Sequence, residues 1–235
     1  MKQLRESMFP KDLNSKFDYT LKGVTYTPKV SEIRLIYDSG VTKKDWKKKG
    51  LVYENYKKDL KEQHYFKQTR RCAYCRTKLR TDAYWEDLDH IVSQTEKGNW
   101  IFYPKNLIVT CEPCNRLKNA VSTLSNPNTK YFPLYSKGFN IFNPHFDKWS
   151  DHFIIEKGIF LKGKPGTKGP NTYNYCHLYR YDIIIDYVDE QRIWNVFTMR
   201  RLTHKLKDIQ KGSLEETHIN KAIEHILKRK KHQQQ

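Results

Sequence analysis

The sequence has no apolar run long enough for a membrane span. Nowhere do the roughly 18 consecutive apolar residues of an ordinary transmembrane helix occur. The opening residues, from Met1 to Ser7, lack the apolar core of a signal peptide. A cytoplasmic location with no membrane partner is therefore the expectation.

Acidic residues are scarce relative to basic ones. The chain has 26 Asp and Glu against 44 Lys and Arg, a formal net charge of +18. This imbalance favours an anionic polymer such as nucleic acid as a partner and predicts salt-dependent binding. Because 37% of the residues are hydrophobic and 14% aromatic, the chain is expected to fold and not to remain a disordered basic tail. Its 235 residues suffice for one large domain or two small ones.

Cysteine is also scarce, and this argues against a disulfide framework. Four of the five cysteines form two Cys-x-x-Cys pairs, which are Cys72-Ala-Tyr-Cys75 and Cys111-Glu-Pro-Cys114. Two such pairs supply the four thiolates that Zn²⁺ binds in tetrahedral structural sites. Four sulfurs leave no open coordination position. The predicted ion is therefore structural, and any chemistry must come from other residues that it holds in place.

Polar residues between and after the two pairs are the candidates for that chemistry. Hydrolysis of a phosphodiester needs a base for water and a divalent ion for the phosphoryl charge. The imidazole of His90 titrates near neutral pH and is the candidate base. The neighbouring Asp89 carboxylate and the Asn115 amide oxygen can hold Mg²⁺ or Mn²⁺, with water and phosphate oxygens completing the shell. Asn106 is the fourth candidate catalytic residue.

The same stretch predicts a strand, a loop, a second strand and a helix. Residues 85–92 suit a strand that arrives at a turn, and residues 107–110 suit a second strand. Gly98 and Asn99 mark the loop between them. Good helix formers run from Asn115, with no breaker before Pro127.

The order of these motifs resembles the HNH nucleases, the ββα-metal group, in the version with a four-cysteine zinc knuckle. The resemblance covers about 55 residues and rests on Cys72-x-x-Cys75, Asp87-x-Asp89-His90, Asn106-Leu107 and Cys111-x-x-Cys114-Asn115-x-x-Lys118. It implies that His90 is the general base and that Asp89 and Asn115 hold the catalytic ion. It also implies that Asn106 keeps the His90 loop in shape.

Motifs outside this stretch resemble the PtuB-type HNH subunits of Septu and retron antiphage systems. They are the Met1-Lys-Gln-Leu start, Asn143-Pro-His-Phe-Asp147, Asp151-His-Phe153 and Gly158-Ile-Phe160. Such subunits work beside an ABC-type ATPase, PtuA. The resemblance therefore implies a nuclease effector in a defence complex with an ATPase partner.

The overall prediction is an α+β protein with three parts. Residues 1–68 form a basic, partly helical segment, residues 69–125 the nuclease module on its zinc knuckle, and residues 126–235 a loop-rich and then helical region that binds a partner or nucleic acid. The predicted activity is hydrolysis of phosphodiester bonds, with DNA favoured over RNA. Three alternatives stay open: a non-catalytic zinc module that binds nucleic acid, an ATPase-docking subunit, and a nuclease directed at RNA such as tRNA.

Overall fold

A computed structural model describes residues 19–21, 24–26, 43–47, 50–79, 86–191 and 196–232. These residues form three two-stranded antiparallel sheets and seven α-helices, so the predicted α+β class is confirmed. Much of the predicted segment 1–68 lies outside the described residues.

The strands are β1 Tyr19–Leu21, β2 Val24–Tyr26, β3 Glu86–His90, β4 Leu107–Cys111, β5 Phe153–Glu156 and β6 Phe160–Gly163. The helices are α1 Leu51–Lys67, α2 Glu112–Lys118, α3 Trp149–His152, α4 Gly169–Tyr175, α5 Tyr181–Gln191, α6 Val196–Lys207 and α7 Leu214–His232.

Gly50 separates two helical segments before the first cysteine pair. A 3₁₀ turn spans Lys43–Lys47, and α1 begins directly after Gly50. The φ angle of Gly50 is +139°, which residues with a side chain rarely adopt. The helical segments are therefore interrupted at this glycine, and the indole of Trp46 packs against the imidazole of His90 at the end of β3.

Strands β3 and β4 form the sheet on which the candidate site is built. Their antiparallel register pairs Glu86 with Cys111 at one end and His90 with Leu107 at the other. Strand β4 has the sequence Leu-Ile-Val-Thr-Cys, and its first four residues are fully buried. Branched apolar side chains favour such a strand when both of its faces are covered. The sheet therefore connects the second cysteine pair directly with the candidate base.

The residue that follows α1 attaches this helix to β4. The side-chain amide of Gln68 donates to the carbonyl oxygen of Val109 at 2.7 Å, and the Val109 N–H donates to its Oε1 at 3.1 Å. Gln68 thus satisfies the backbone of β4 in the way that a neighbouring strand would. The backbone N–H of Ala73 also donates to the Val109 carbonyl, at 3.1 Å. The first cysteine pair is consequently held against the middle of β4.

Helix α2 begins three residues earlier than Asn115, where the sequence predicted its start. It runs over Glu112–Lys118 and so includes Cys114. Pro113 stands in the first turn, where its fixed φ suits a helix and its missing N–H has no intrahelical partner to lose. Asn119 ends the helix with a φ of +46°. Cys114 and Asn115 therefore project from one rigid turn.

The described part of the chain after residue 125 contains a hairpin and the five helices α3 to α7. Strands β5 and β6 form the hairpin, with Lys157 and Gly158 at positive φ in its turn. Helices α5, α6 and α7 pack on β6 through a small apolar cluster centred on Ile184, Leu202 and Ile219. The later part of this region is therefore helical, and its helices pack against the hairpin.

The larger apolar cluster takes side chains from both sides of residue 125. It joins α1, the first cysteine pair and β4 to side chains from later in the chain than β4, including Leu124, Phe139, Trp149 and Tyr187. The predicted boundary between residues 125 and 126 stays a prediction. The observed packing shows that the β3–β4 sheet is covered by segments from later in the chain.

In the part of the chain that the structure describes, no helix has both the length and the apolar character that crossing a bilayer requires.

Candidate active site and metal centre

The four paired cysteines converge to form one cluster. All four Sγ atoms of Cys72, Cys75, Cys111 and Cys114 lie within 4.8 Å of one another, and Sγ of Cys75 is 3.8 Å from Sγ of Cys111. Sulfurs at the tetrahedral corners around Zn²⁺ are about 3.8 Å apart, as follows from Zn–S bonds of about 2.3 Å. Three of the four residues are fully buried, and Cys111 is half-buried. The cluster therefore fits a structural zinc ion in number, chemistry and spacing.

A tight turn shapes the first cysteine pair. The N–H of Cys72 donates to the Thr77 carbonyl at 3.0 Å, and the N–H of Arg76 donates to the Cys72 carbonyl at 3.1 Å. Arg76 has a φ of +63°, in the left-handed region. Its buried guanidinium donates to the Gln68 carbonyl at 3.2 Å and compensates for this unfavourable backbone conformation.

Arg180, from the segment between α4 and α5, contacts the sulfurs from outside. Its Nη2 lies 3.5 Å from Sγ of Cys114 and 4.0 Å from Sγ of Cys111. Burial lowers the pKa of this guanidinium, but Cys114 and Asp182 raise it, and the net shift is upward. A buried cation beside four thiolates partly neutralises their charge. This role of Arg180 is not predictable from the sequence, because no motif links the residue to cysteines some seventy residues earlier.

Three of the four predicted catalytic residues line one polar groove. The groove has a volume of about 400 Å³ and is lined by Asp89, His90 and Asn115 together with Ser93, Gln94, Thr95, Arg116, Lys118, Asn119 and Ala120. Asn106, the fourth, is fully buried behind it. The strand pair and helix α2 thus bring together side chains that are 26 positions apart in the sequence.

Hydrogen bonds orient the imidazole of His90. Its Nε2 lies 2.9 Å from the carbonyl oxygen of Ile101, which can only accept. In the neutral ring Nε2 therefore carries the proton and Nδ1 keeps its lone pair. The amide nitrogen of Gln94 lies 3.2 Å from Nδ1, and Trp46 packs edge-on at 4.4 Å between ring centroids. The ring consequently presents its basic nitrogen toward the side of the groove where Gln94 lies.

Burial keeps His90 neutral at physiological pH. It lowers the pKa of the imidazole from 6.5 to about 4, although the hydrogen bond to the Ile101 carbonyl acts in the opposite direction. Positive charge on Lys118 and Lys57 lowers the pKa further. A neutral imidazole can accept a proton, so His90 is in the state that a general base requires.

Both carboxylate oxygens of Asp89 have partners. Oδ1 lies 3.2 Å from Nζ of Lys118, and Oδ2 accepts a hydrogen bond from the hydroxyl of Tyr74 at 3.1 Å. Burial raises the pKa of Asp89 to about 6, while Lys118 and Tyr74 act to lower it. Lys118 is itself almost completely buried and also donates to the His90 carbonyl at 2.8 Å. It is therefore a partner of Asp89 and not a solvated helix residue.

Asn106 fastens the loop between β3 and β4. Its Oδ1 accepts from the Val92 N–H at 2.8 Å, and its Nδ2 donates to the carbonyls of Val92 and Trp100, each at 3.1 Å. These three bonds join the two ends of the loop that also carries Gln94 and Ile101. The contacts suit the loop-shaping role that the sequence suggested for Asn106, and they keep its amide away from the groove.

Asn115 is turned toward β3 by Asp87. Its Nδ2 donates to Oδ2 of Asp87 at 3.0 Å, so the amide oxygen is left for another partner. This bond gives Asp87 an orienting role. Asp89 and Asn115 thus offer a carboxylate and an amide oxygen to one groove, which are ligand types that Mg²⁺ and Mn²⁺ prefer. The donor chemistry fits such an ion, although Lys118 already neutralises Asp89.

Two residues that were not predicted from the sequence, Tyr74 and Gln94, contact the predicted residues directly. Gln94 could have been found as the residue four positions after His90 in a polar loop. Tyr74 could have been found as the polar aromatic residue inside the first Cys-x-x-Cys pair. Neither signal is specific, because both residue types are common in loops.

No family model matches the chain, and no solved structure matches it. The chain is similar to a curated protein, the Septu protein PtuB of Bacillus thuringiensis, with 26% identity over 115 residues. That alignment covers 49% of this chain but only 39% of the relative. The similarity is distant, and the match spans about two fifths of the length of the relative.

Proposed function

We propose that this protein is a metal-dependent HNH endonuclease that hydrolyses phosphodiester bonds, in DNA in preference to RNA. The observation that carries the proposal is the orientation of His90. Its Nε2 is occupied by the Ile101 carbonyl while Nδ1 is directed toward a groove that Asp89 and Asn115 also line. A structural zinc site would need no such groove.

His90 is the general base of the proposed reaction. Nδ1 accepts a proton from a water molecule once the Gln94 amide yields its place, and the Ile101 carbonyl stabilises the imidazolium through Nε2–H. The hydroxide formed attacks phosphorus, and the bond from phosphorus to the leaving oxygen breaks. Because His90 is neutral at pH 7, the base needs no prior deprotonation.

Asp89 and Asn115 are the residues that would hold the catalytic ion. A divalent cation bound there supplies positive charge for the phosphate oxygens and the leaving group. Asp87 orients Asn115, and Asn106 holds the loop that carries the partners of His90. Arg116 also lines the groove, and its largely exposed guanidinium, which pairs with Glu112 at 2.8 Å, is accessible to a phosphate backbone.

The proposed biological role is antiphage defence beside an ABC-type ATPase. Support comes from the similarity to the Septu protein PtuB. The aligned residues make up about half of this chain. The formal charge of +18 supports nucleic acid as the substrate.

A second candidate is a docking subunit whose cleavage stays silent until a partner arrives. The engagement of Asp89 favours this candidate, because Lys118 and Tyr74 already occupy both of its oxygens. On this reading, binding of an ATPase partner would shift Lys118 away from Asp89.

Incubation of plasmid DNA and tRNA with purified protein tests the proposal. We expect cleavage of DNA with Mg²⁺ or Mn²⁺, none with EDTA, and retention of zinc throughout. His90→Ala should slow cleavage by about 10²–10⁴-fold without loss of DNA binding, since one general base is removed. The control is His204→Ala, which removes an exposed histidine on α6.

Equal cleavage by the wild type and His90→Ala would remove His90 from the mechanism. Cleavage of tRNA but not of plasmid would change the substrate class and leave the chemistry intact. Cleavage that begins only after the ATPase partner is added would favour the docking subunit with latent activity.

A further inference from the structure

Tyr74 connects the thiolate cluster with the candidate catalytic carboxylate. It lies between Cys72 and Cys75 in sequence, and its side chain is fully buried. Its hydroxyl donates to Oδ2 of Asp89 at 3.1 Å. Tyr74, which lies between two of the cluster cysteines, therefore contacts Asp89, a side chain that lines the groove.

The backbone around Tyr74 is held from two directions. The N–H of Ala73 donates to the Val109 carbonyl on β4 at 3.1 Å. The indole Nε1–H of Trp149 donates to the Tyr74 carbonyl at 2.9 Å. The flanking cysteines belong to the cluster and hold the backbone further, and the complete burial of the side chain restricts rotation of the phenol. Its hydroxyl is consequently a fixed donor.

The second cysteine pair supplies the other partner of Asp89. Cys114 lies within α2, and one turn later the same helix carries Lys118, whose Nζ is 3.2 Å from Oδ1. Each cysteine pair thus contributes one group to Asp89, a hydroxyl from the first and an ammonium from the second. The position of the carboxylate depends on both halves of the cluster.

We propose that Tyr74 is a positioning residue through which the zinc knuckle sets the cation affinity of the groove. The proposal rests on the function proposed above, in which Asp89 holds a divalent ion. A ligand that is already oriented by a fixed donor loses less freedom when it binds the ion, as for other outer partners of metal ligands. Loss of the hydroxyl would leave Asp89 free to rotate toward Lys118 alone.

Tyr187 provides a matched control. It is also a buried tyrosine, and its hydroxyl donates at 2.7 Å to the Cys75 carbonyl in the same cysteine loop. It differs from Tyr74 in the acceptor, which is a backbone oxygen and not Asp89. Tyr74→Phe and Tyr187→Phe therefore each remove one buried hydroxyl from the knuckle, and of the two hydroxyls only that of Tyr74 bonds to a side chain that lines the groove.

Binding of Mn²⁺ is measured on zinc-loaded full-length protein by the loss of the free-ion signal in electron paramagnetic resonance. We expect Tyr74→Phe to weaken Mn²⁺ binding roughly tenfold relative to the wild type and to Tyr187→Phe. Zinc content and melting temperature should be alike in the two variants. The Mn²⁺ concentration for half-maximal cleavage should rise by the same factor, while kcat at saturating Mn²⁺ stays near the wild-type value.

Asp89→Asn separates this inference from the function on which it rests. If Asp89→Asn abolishes Mn²⁺ binding while Tyr74→Phe binds as tightly as Tyr187→Phe, the role of Tyr74 is overturned and the nuclease proposal stands. If Asp89→Asn binds Mn²⁺ like the wild type, the proposed ion site is wrong. Should Tyr74→Phe lose zinc, site-specific 3-fluorotyrosine at position 74 replaces it. Fluorination makes the hydroxyl a stronger hydrogen-bond donor. The protein with 3-fluorotyrosine at position 74 must then bind Mn²⁺ more tightly than the wild type, and the protein with 3-fluorotyrosine at position 187 must not.

Discussion

The thiolate cluster and the groove lie on the same strand pair but are built in opposite ways. The cluster is closed by its own turn, by Arg180 and by the Tyr187 hydroxyl, and its sulfurs are largely inaccessible. The groove is open and polar, and its side chains come from β3, α2 and the loop after β3. A structural ion needs only its ligands, whereas a substrate must be able to enter its site. The contrast suits the proposed function, in which the cluster is the structural scaffold and the groove is where the phosphate would bind.

Removal of one cysteine sulfur should have the largest effect on stability, because the zinc ion that the four sulfurs would bind holds the surrounding fold together. We expect Cys114→Ser to lose zinc and to be destabilised by roughly 4 kcal/mol or more, which corresponds to a fall in melting temperature of about 10 °C or more. Calorimetry together with the zinc-to-protein ratio measures both. Cys176→Ser is the control, since Cys176 is equally buried but lies outside the cluster. Full zinc binding by Cys114→Ser would show that three sulfurs suffice.

Loss of Asn106 should have the next largest effect and should separate the two regions. Asn106→Ala leaves the buried N–H and carbonyl of Val92 without partners, at a cost of about 3 kcal/mol in stability, while the Trp100 carbonyl keeps the Tyr103 N–H as a donor. We expect cleavage to be lost and zinc content to be unchanged. Denaturant unfolding provides the measurement.

Asn140→Ala serves as the comparison for Asn106. Its amide makes only long, partly exposed bonds of 3.3 and 3.4 Å to the carbonyls of Ser122 and Leu124. Asn140→Ala should lower the free energy of unfolding by less than about 1 kcal/mol. Equal destabilisation by the two variants would contradict the special role of Asn106.

Substitution of Arg180 should have the smallest effect, and it should change only how fast the thiolate cluster releases zinc. In Arg180→Gln the sulfurs lose a buried cation, so zinc should pass to a competing chelator roughly tenfold faster. Arg180→Lys should restore part of the slow rate. Arg229→Gln, which removes an exposed ion pair with Asp189, should release zinc like the wild type. Unchanged release from Arg180→Gln would mean that the guanidinium serves packing alone.

Local features of the chain could be predicted where one segment carries the whole signal. The spacing of the two cysteine pairs predicted a four-sulfur cluster, and the four Sγ atoms do converge. The break at Gly50 and the hairpin turn at Lys157–Gly158 follow from glycine at positive φ. The start of α2 differs from the prediction because Pro113 is accommodated in the first turn of the helix, where it has no intrahelical N–H bond to lose.

Partners that come from distant segments could not be predicted in the same way. Lys118 looks from its position like an ordinary helix residue, yet the fold buries it against Asp89. Arg180 follows no cysteine motif, and Tyr74 carries no mark that separates it from other aromatic residues. Each owes its role to contacts that exist only after β3, α2 and the later segments have packed together.

The sequence by itself determined the kind of ligands, their number and the order in which strand, loop, strand and helix follow one another. These properties depend on residue type and short-range spacing, which the chain carries before it folds. Only the tertiary structure decided which nitrogen of His90 points toward the groove and which groups hold Asp89. Both depend on the directions of hydrogen bonds from segments far apart in the chain, and such directions do not exist until the core has formed.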